Sequence, residues 1–279
     1  MKVGLMLPQA PQDGSGGTWR EISALARLAE DGGADSVWVC DHFLYRPPDG
    51  EEAGYHEPWT LISALAATTS RIEIGALVLA TSFRPAGLLA KMAATANDVA
   101  EGRLILGLGC GWHEPEYRAF GYPFDHRVGR FEEALEVIVP LLRGARVTFA
   151  GRWTTADDAV LLPPPRTPRI LIAAKRDRML RLAARHADQW QIAWFDRPDE
   201  RWRGLLSDFR AACEAEGRDP ATVELTVGVD GGSPPDAAAL AETLGLWAEE
   251  GIGHLQVAMD RADRAAFDTC LEAIRQFRG

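Results

Sequence analysis

Lysine is nearly missing from this chain: Lys2, Lys91 and Lys175 stand alone, and every other basic residue is arginine. No run of basic residues occurs, and the formal net charge over the 279 residues is -10. An acidic surface without a basic patch repels a nucleic-acid backbone or an anionic membrane, so neither is an expected partner. Cysteine is sparse as well. Cys40, Cys110, Cys213 and Cys270 lie far apart and form no C-x-x-C pair, which argues against a disulfide framework and fits reduced thiols in a cytoplasm. No apolar run approaches the roughly 20 residues of a membrane span. The apolar stretch 3–7 meets Pro8 too soon to be the core of a signal peptide. None of the histidines forms an H-x-H pair at the end of the first strand, so no clustered metal site is expected. No linker or charge block divides the chain, and residues 1–279 read as one domain.

What is present is one unit repeated. The apolar run 3–7 ends at Pro8 and Gln9, and after a glycine-rich loop Thr18-Trp19-Arg20-Glu21 fits a capping box. Ile22, Leu25, Ala26 and Ala29 then recur at the helical period, and Gly32-Gly33 stops the helix before the next apolar run, 36–40. Further strands are expected at 72–79, 103–107, 169–173, 187–193, 223–229 and 254–258. Helices alternate with them at 58–69, 86–100, 127–142, 177–185, 198–217, 236–250 and 263–277. Continuous apolar strands imply burial on both faces, as in a parallel sheet wrapped by helices. Eight such units favour a closed (β/α)8 TIM barrel of the α/β class over an open doubly wound sheet. The long insertion between the fourth and fifth strands, from about 110 to 168, holds a helix and a hairpin at 146–162.

In such a barrel the active site is built by the loops that follow the strands. These supply Pro8 and Gln9; Asp41, His42 and Phe43; Thr81 and Ser82; residues 107–116; Lys175 and Arg176; Trp194 and Phe195; Asp230; and Asp260. His42 is the candidate proton donor or acceptor, since imidazole changes charge near neutral pH. The alternative is a histidine that merely caps its loop. Gly107, Gly109 and Gly111 alternate through a strand end that includes Cys110 and Trp112. Missing side chains there let backbone N–H groups approach an anion or a planar ring, or else describe a tight strand-to-helix turn. Lys175 and Arg176, at the start of a helix, suit a phosphate, or form a solvated turn. Lys175 is also the one lysine placed for a Schiff base, with no acid or base beside it. Trp190, Trp194 and Phe195 either wall a ring-sized pocket or pack in the core.

Several stretches resemble one family: Arg84-Pro85, Ala90-Lys91, Glu101-Gly102-Arg103, residues 107–117, Gly121-Tyr122-Pro123-Phe124 and residues 127–133. With Asp41-His42-Phe43, Gly151-Arg152-Trp153 and residues 183–190, the chain is similar to the luciferase-like family of flavin- and deazaflavin-dependent oxidoreductases. The resemblance implies a (β/α)8 barrel, often a homodimer, that holds reduced FMN or the 8-hydroxy-5-deazaflavin coenzyme F420 at the strands' C-terminal ends. The ring would lie near His42 and Thr81, beside the turn 107–112, with Asp41 orienting His42. The resemblance also implies a non-proline cis peptide near Ala80-Thr81. Two positions depart from the family: Asn97 and Ala100 replace an acidic residue and a serine, and the expected glycine-rich phosphate loop reads Ala173-Ala174-Lys175-Arg176-Asp177. Three functions follow as expectations. The first is hydride transfer between the deazaflavin and a small organic substrate. The second is an FMN monooxygenase using oxygen and fed by a separate reductase. The third is a silent barrel that has lost its phosphate grip.

Overall fold

Valine, isoleucine and leucine run through the expected strands with little polar interruption, and such segments are stable only where both faces are covered. A computed structural model, describing residues 1–9, 17–48, 50, 52–232, 236–259 and 263–279, covers them in that way. The strands β1 (Lys2–Met6), β2 (Ser36–Val39), β3 (Glu73–Ala76), β4 (Leu104–Gly109), β5 (Arg169–Ala173), β6 (Gln189–Phe195), β7 (Glu224–Asp230) and β8 (His254–Ala258) lie side by side and parallel. The pairings Arg169–Ile105 between β5 and β4 and Lys2–His254 between β1 and β8 complete the ring. Around it run α1 (Trp19–Gly32), α2 (Pro58–Thr68), α3 (Ala86–Val99), α4 (Glu114–Phe120), α5 (Arg127–Leu142), α6 (Asp177–His186), α7 (Glu200–Ala215), α8 (Ala237–Glu249) and α9 (Arg264–Arg278). The (β/α)8 barrel expected from the repeat is the fold observed. No helix among the described residues is long and apolar enough to cross a membrane.

The expected local signals act where they should. Thr18 caps α1 through the Glu21 N–H while the Glu21 carboxylate returns to the Thr18 N–H, and Gly33 ends the helix at φ 91°. Ile22, Leu25, Ala26 and Ala29 are its buried face. The hairpin of Val147–Ala150 with Thr155–Ala159 falls inside the expected 146–162. Three features differ. Strand pairing on β3 stops at Ala76 and resumes only at Leu79–Ala80, which pairs with Leu108 and Gly109. The cis peptide lies at Leu77–Val78, not at Ala80–Thr81, and a second non-proline cis bond joins Ala193 to Trp194. A two-residue hairpin, Leu44–Tyr45 with Ala53–Gly54, and the short helix α4 fill stretches that carry no regular apolar period.

The barrel interior is divided. Trp38, Ile105 and Leu171 form an apolar cluster, whereas β6, β7 and β8 bring in the buried Gln191, Thr226, His254 and Gln256. His254 Nε2 lies 2.7 Å from Ser36 Oγ, which also accepts the Trp38 indole N–H at 2.7 Å. Burial, followed by the positive charges of Lys2 and Arg169, pushes the His254 imidazole down to about 3. Burial, followed by Arg185 and Arg143, pushes His186 down to about 4. Both rings are therefore neutral in the folded chain at pH values where the unfolded chain protonates them. Their contribution to stability is complete above about 6.5, the ordinary imidazole value, and is lost as pH falls through 5 toward 4. The slope is about 1 kcal/mol per pH unit for each ring. Urea midpoints measured from pH 7 to 4.5 should show this slope shrinking in His186→Gln and again in a His186→Gln, His254→Gln double variant. An unchanged slope in the double variant sinks the assignment.

Candidate active site

The C-terminal ends of β2 and β4 meet through a histidine and a glutamate. His42 Nδ1 lies 2.9 Å from Glu116 Oε1, and Glu116 Oε2 accepts the Phe43 N–H at 3.1 Å. Glu116 is buried and sits in the first turn of α4, which Pro115 helps to start and Gly121 ends at φ 75°. Nε2 of His42 makes no hydrogen bond among the described residues, and the side chain is 17% exposed. One ring nitrogen is thus held by a carboxylate while the other stays open, an arrangement suited to taking or giving a proton.

Asp41 does not orient His42. Its carboxylate is fully buried and is held by Arg84 through two bonds, at 2.8 and 3.1 Å, and by the Ala80 N–H at 2.8 Å. Arg84 also donates to Glu57, the residue that caps α2. Asp41 therefore ties β2 to the turn after β3 and positions the His42 loop from below. Gln9 adds a second tie: it bonds both the N–H and the carbonyl of Cys40 and donates to the His56 carbonyl. Burial pushes the Cys40 thiol up to about 12, so it remains protonated.

The alternating glycines serve close packing. A Cβ on Gly107 would stand 1.8 Å from the Ala76 carbonyl oxygen, one on Gly109 2.7 Å from Val78, and one on Gly111 1.7 Å from the Tyr117 hydroxyl. Gly111 also has φ 73°, a conformation that side chains rarely adopt. The space on the Cβ side of all three glycines is filled by protein atoms, so each packs closely against its neighbour. Arg127 donates to the Gly111 carbonyl at 2.9 Å. Thr81 is buried, its hydroxyl 3.5 Å from the Gly109 carbonyl, and Cys110 lies partly buried beside it in the same rim. Trp112 is 62% exposed, its ring 5.7 Å from that of His42.

At the end of β5, which pairs with β4, Ala174 is buried in the core while Ala173 is only partly buried. Lys175 donates to the Ala193 carbonyl. Desolvation, then the nearby Arg201, lowers its pKa. Arg176 is exposed and stands at the start of α6, whose first turn has no side-chain cap. Of the three aromatic residues considered from sequence, Trp190 stacks on Phe209 at 4.3 Å, and Phe195 packs against Trp202 and Trp247. Both are core. Trp194 is 44% exposed and lies over Gly228. Asp230 accepts the Gly232 N–H at 2.9 Å, and Asp260 lies outside the described residues.

Glu116 and His113 fall in the stretch 107–116 that the sequence assigns to the active-site loops, and Arg84 in the family resemblance, but none of the three was given a role, and Tyr45 and Tyr55 were not singled out at all. The run Glu114-Pro115-Glu116 with Gly121 carried the signal for α4, because proline near a helix start and glycine just past its end are helix boundaries.

The chain resembles several known proteins. The chain is 33% identical over 237 residues to an F420-dependent glucose-6-phosphate dehydrogenase of Kineococcus radiotolerans, an alignment covering 82% of this chain and 68% of that protein. It is 34% identical over 212 residues to a phthiodiolone/phenolphthiodiolone dimycocerosates ketoreductase of Mycobacterium tuberculosis, covering 68% of this chain and 55% of that one, little more than half the relative's length. The fold matches that of an F420-dependent secondary alcohol dehydrogenase solved with an F420-acetone adduct, with TM-score 0.80, 18% identity and coverage of 100% and 99%. It also matches a monooxygenase from Streptomyces bottropensis, with TM-score 0.78, 23% identity and coverage of 100% and 97%. The profile of the luciferase-like monooxygenase family matches residues 1–272, and the chain belongs to that family.

Proposed function

We propose that this chain is an oxidoreductase that uses the deazaflavin coenzyme F420 to move a hydride to or from a carbonyl-bearing substrate or its secondary alcohol. His42 would exchange the accompanying proton. The observation that carries the proposal is the His42–Glu116 pair with its open Nε2 at the barrel mouth. Interconverting an alcohol and a ketone requires a proton at oxygen for every hydride at carbon, and a histidine held by a carboxylate provides it. The names of the Kineococcus and Mycobacterium relatives, a dehydrogenase and a ketoreductase, agree with that chemistry.

The residues fit the coenzyme's anionic end. The first turn of α6 has no side-chain cap, so its N–H groups are open to oxygen, and Lys175 and Arg176 stand next to it. Asp177 opposes them with one negative charge in the same turn. The Ala174 methyl points into the core, so replacing glycine there does not fill the mouth. When bound, the coenzyme supplies the carbon that accepts or gives the hydride, while the protein supplies binding, orientation and electrostatics. Lys175 and Arg176 would hold the phosphate, His42 would move the proton at the substrate oxygen, and Glu116 would hold the imidazole in place.

Fluorescence titration against the deazaflavin and FMN in parallel tests the assignment. The deazaflavin should bind at least tenfold tighter, and a Lys175→Ala, Arg176→Ala double variant should weaken it about tenfold, the effect of losing about 1.4 kcal/mol. Preference for FMN would transfer the site to oxygen-using chemistry, and binding of neither compound would remove the proposal.

A further inference from the structure

Around His42 the mouth is aromatic, and its cations are already spent. Tyr45 and Tyr55, from the short hairpin and its exit, have ring centroids 6.0 and 5.6 Å from that of His42, Trp112 lies at 5.7 Å and His113 at 6.0 Å. The Arg46 N–H donates to His113 Nε2 at 3.0 Å, which fastens the hairpin to the start of α4 and holds these rings in one group. A substrate oxygen within hydrogen-bond reach of His42 Nε2 therefore brings the rest of the substrate against aromatic surface. Burial pushes the Tyr55 hydroxyl up to about 12, so that ring stays uncharged.

The guanidiniums on this side have partners. Arg84 is bound by Asp41 and Glu57, Arg46 by Glu52, and Arg118 by Glu114. Arg127 bonds the Gly111 carbonyl and lies 4.0 Å from the Phe124 ring centre. Lys175 and Arg176, which like Arg127 have no carboxylate partner among the described residues, stand at the end of β5, where the coenzyme's phosphate is proposed to bind. A dianionic substrate beside His42 would meet the buried Glu116 and find the neighbouring guanidiniums already engaged.

We propose that the substrate presented to His42 is neutral, a ketone or secondary alcohol with an aromatic or apolar body seated on Trp112 and Tyr55, and that the site discriminates against phosphorylated sugars. This rests on the alcohol–carbonyl assignment above and narrows it. Trp112 and Tyr55 become specificity-determining residues. A flat apolar group gains contact area on both rings without needing a counter-charge, whereas a phosphate would have to displace a carboxylate from Arg46 or Arg118.

The test reads binding as well as turnover. Saturation-transfer NMR would give dissociation constants for 1-phenylethanol and for glucose 6-phosphate, with and without oxidised deazaflavin. The wild type, Trp112→Ala, Tyr55→Phe and Tyr55→Ala would be compared. 1-Phenylethanol should bind at least tenfold tighter than glucose 6-phosphate. Trp112→Ala and Tyr55→Ala should each weaken it five- to tenfold, Tyr55→Phe should behave as wild type, and deazaflavin affinity should stay within twofold throughout. Trp112 is exposed, and an unchanged thermal melt would show that the fold survives its loss. Tighter binding of glucose 6-phosphate overturns the proposal. So does a Trp112→Ala variant that weakens the deazaflavin tenfold and leaves 1-phenylethanol unaffected, because the rings would then serve the coenzyme. Failure of the wild type to bind deazaflavin would instead strike the function proposed above, and the cofactor-free alcohol titration would still decide this one.

Discussion

Replacing His42 with alanine is expected to lower kcat by about 100- to 10,000-fold, the range that a positioned general acid or base contributes, while deazaflavin affinity changes by less than about twofold. The expectation follows from geometry. One imidazole nitrogen is committed to Glu116 at 2.9 Å and the other is open at the mouth, so the role proposed for the ring is at the substrate oxygen and not in holding the coenzyme. Glu116→Gln should have a smaller effect, about 10- to 100-fold on kcat, because the amide carbonyl can still accept the Phe43 N–H and only the charge behind the imidazole is lost. Added imidazole should restore part of the turnover of His42→Ala and none of that of Glu116→Gln. Full turnover in His42→Ala, with the coenzyme bound, ends the assignment.

The largest stability effect should come from Arg84→Leu, about 3–5 kcal/mol, the usual cost of leaving a buried charge without its partner. Asp41 is fully buried, and Arg84 is its only cationic partner among the described residues. Removing the guanidinium strands the carboxylate and also frees Glu57 at the start of α2. An Asp41→Leu, Arg84→Leu double variant should recover part of the loss, since no charge is then left buried. The recovery stays incomplete because the Ala80 N–H has lost its acceptor. Urea denaturation of the two variants and the wild type measures both quantities. A single variant within 1 kcal/mol of wild type, on the scale of an exposed pair, would show that the carboxylate is solvated after all.

The barrel was legible because its signals are local. Continuous apolar strands, the Thr18–Glu21 capping box and Gly33 each depend on residues a few positions apart, and each acts as expected. The acid–base pair was half legible. His42 stands out by chemistry, but its partner was sought in the adjacent Asp41, and successive residues of extended backbone face opposite ways. Asp41 accordingly turns under the loop to Arg84, and the carboxylate that reaches the imidazole comes from 74 positions away. No spacing rule joins those two residues, since they meet only because β2 and β4 both flank β3 in the sheet. The glycines at 107, 109 and 111 were ambiguous for a related reason. A missing side chain marks a close approach, but the sequence does not say whether ligand or protein occupies the space, and here Ala76, Val78 and Tyr117 occupy it. The expected Ala80–Thr81 cis bond lies three residues earlier, at Leu77–Val78, because the third strand is interrupted where its pattern reads as continuous.

The fastening of Arg46 to His113 joins the hairpin after β2 to the start of α4, and the hairpin's own strand pairing is the short register of Leu44 with Gly54 and Tyr45 with Ala53. Inheritance can therefore lengthen, shorten or recolour this hairpin at little cost to the barrel, because none of its described residues belongs to the ring of strands. Lys175 and Arg176, the cations proposed to hold the coenzyme's phosphate, are encoded more than a hundred positions later and share no side-chain bond with it among the described residues. Selection thus has separate handles on what the protein transforms and on what it transforms it with, a division that favours descendants with new substrates and an old coenzyme.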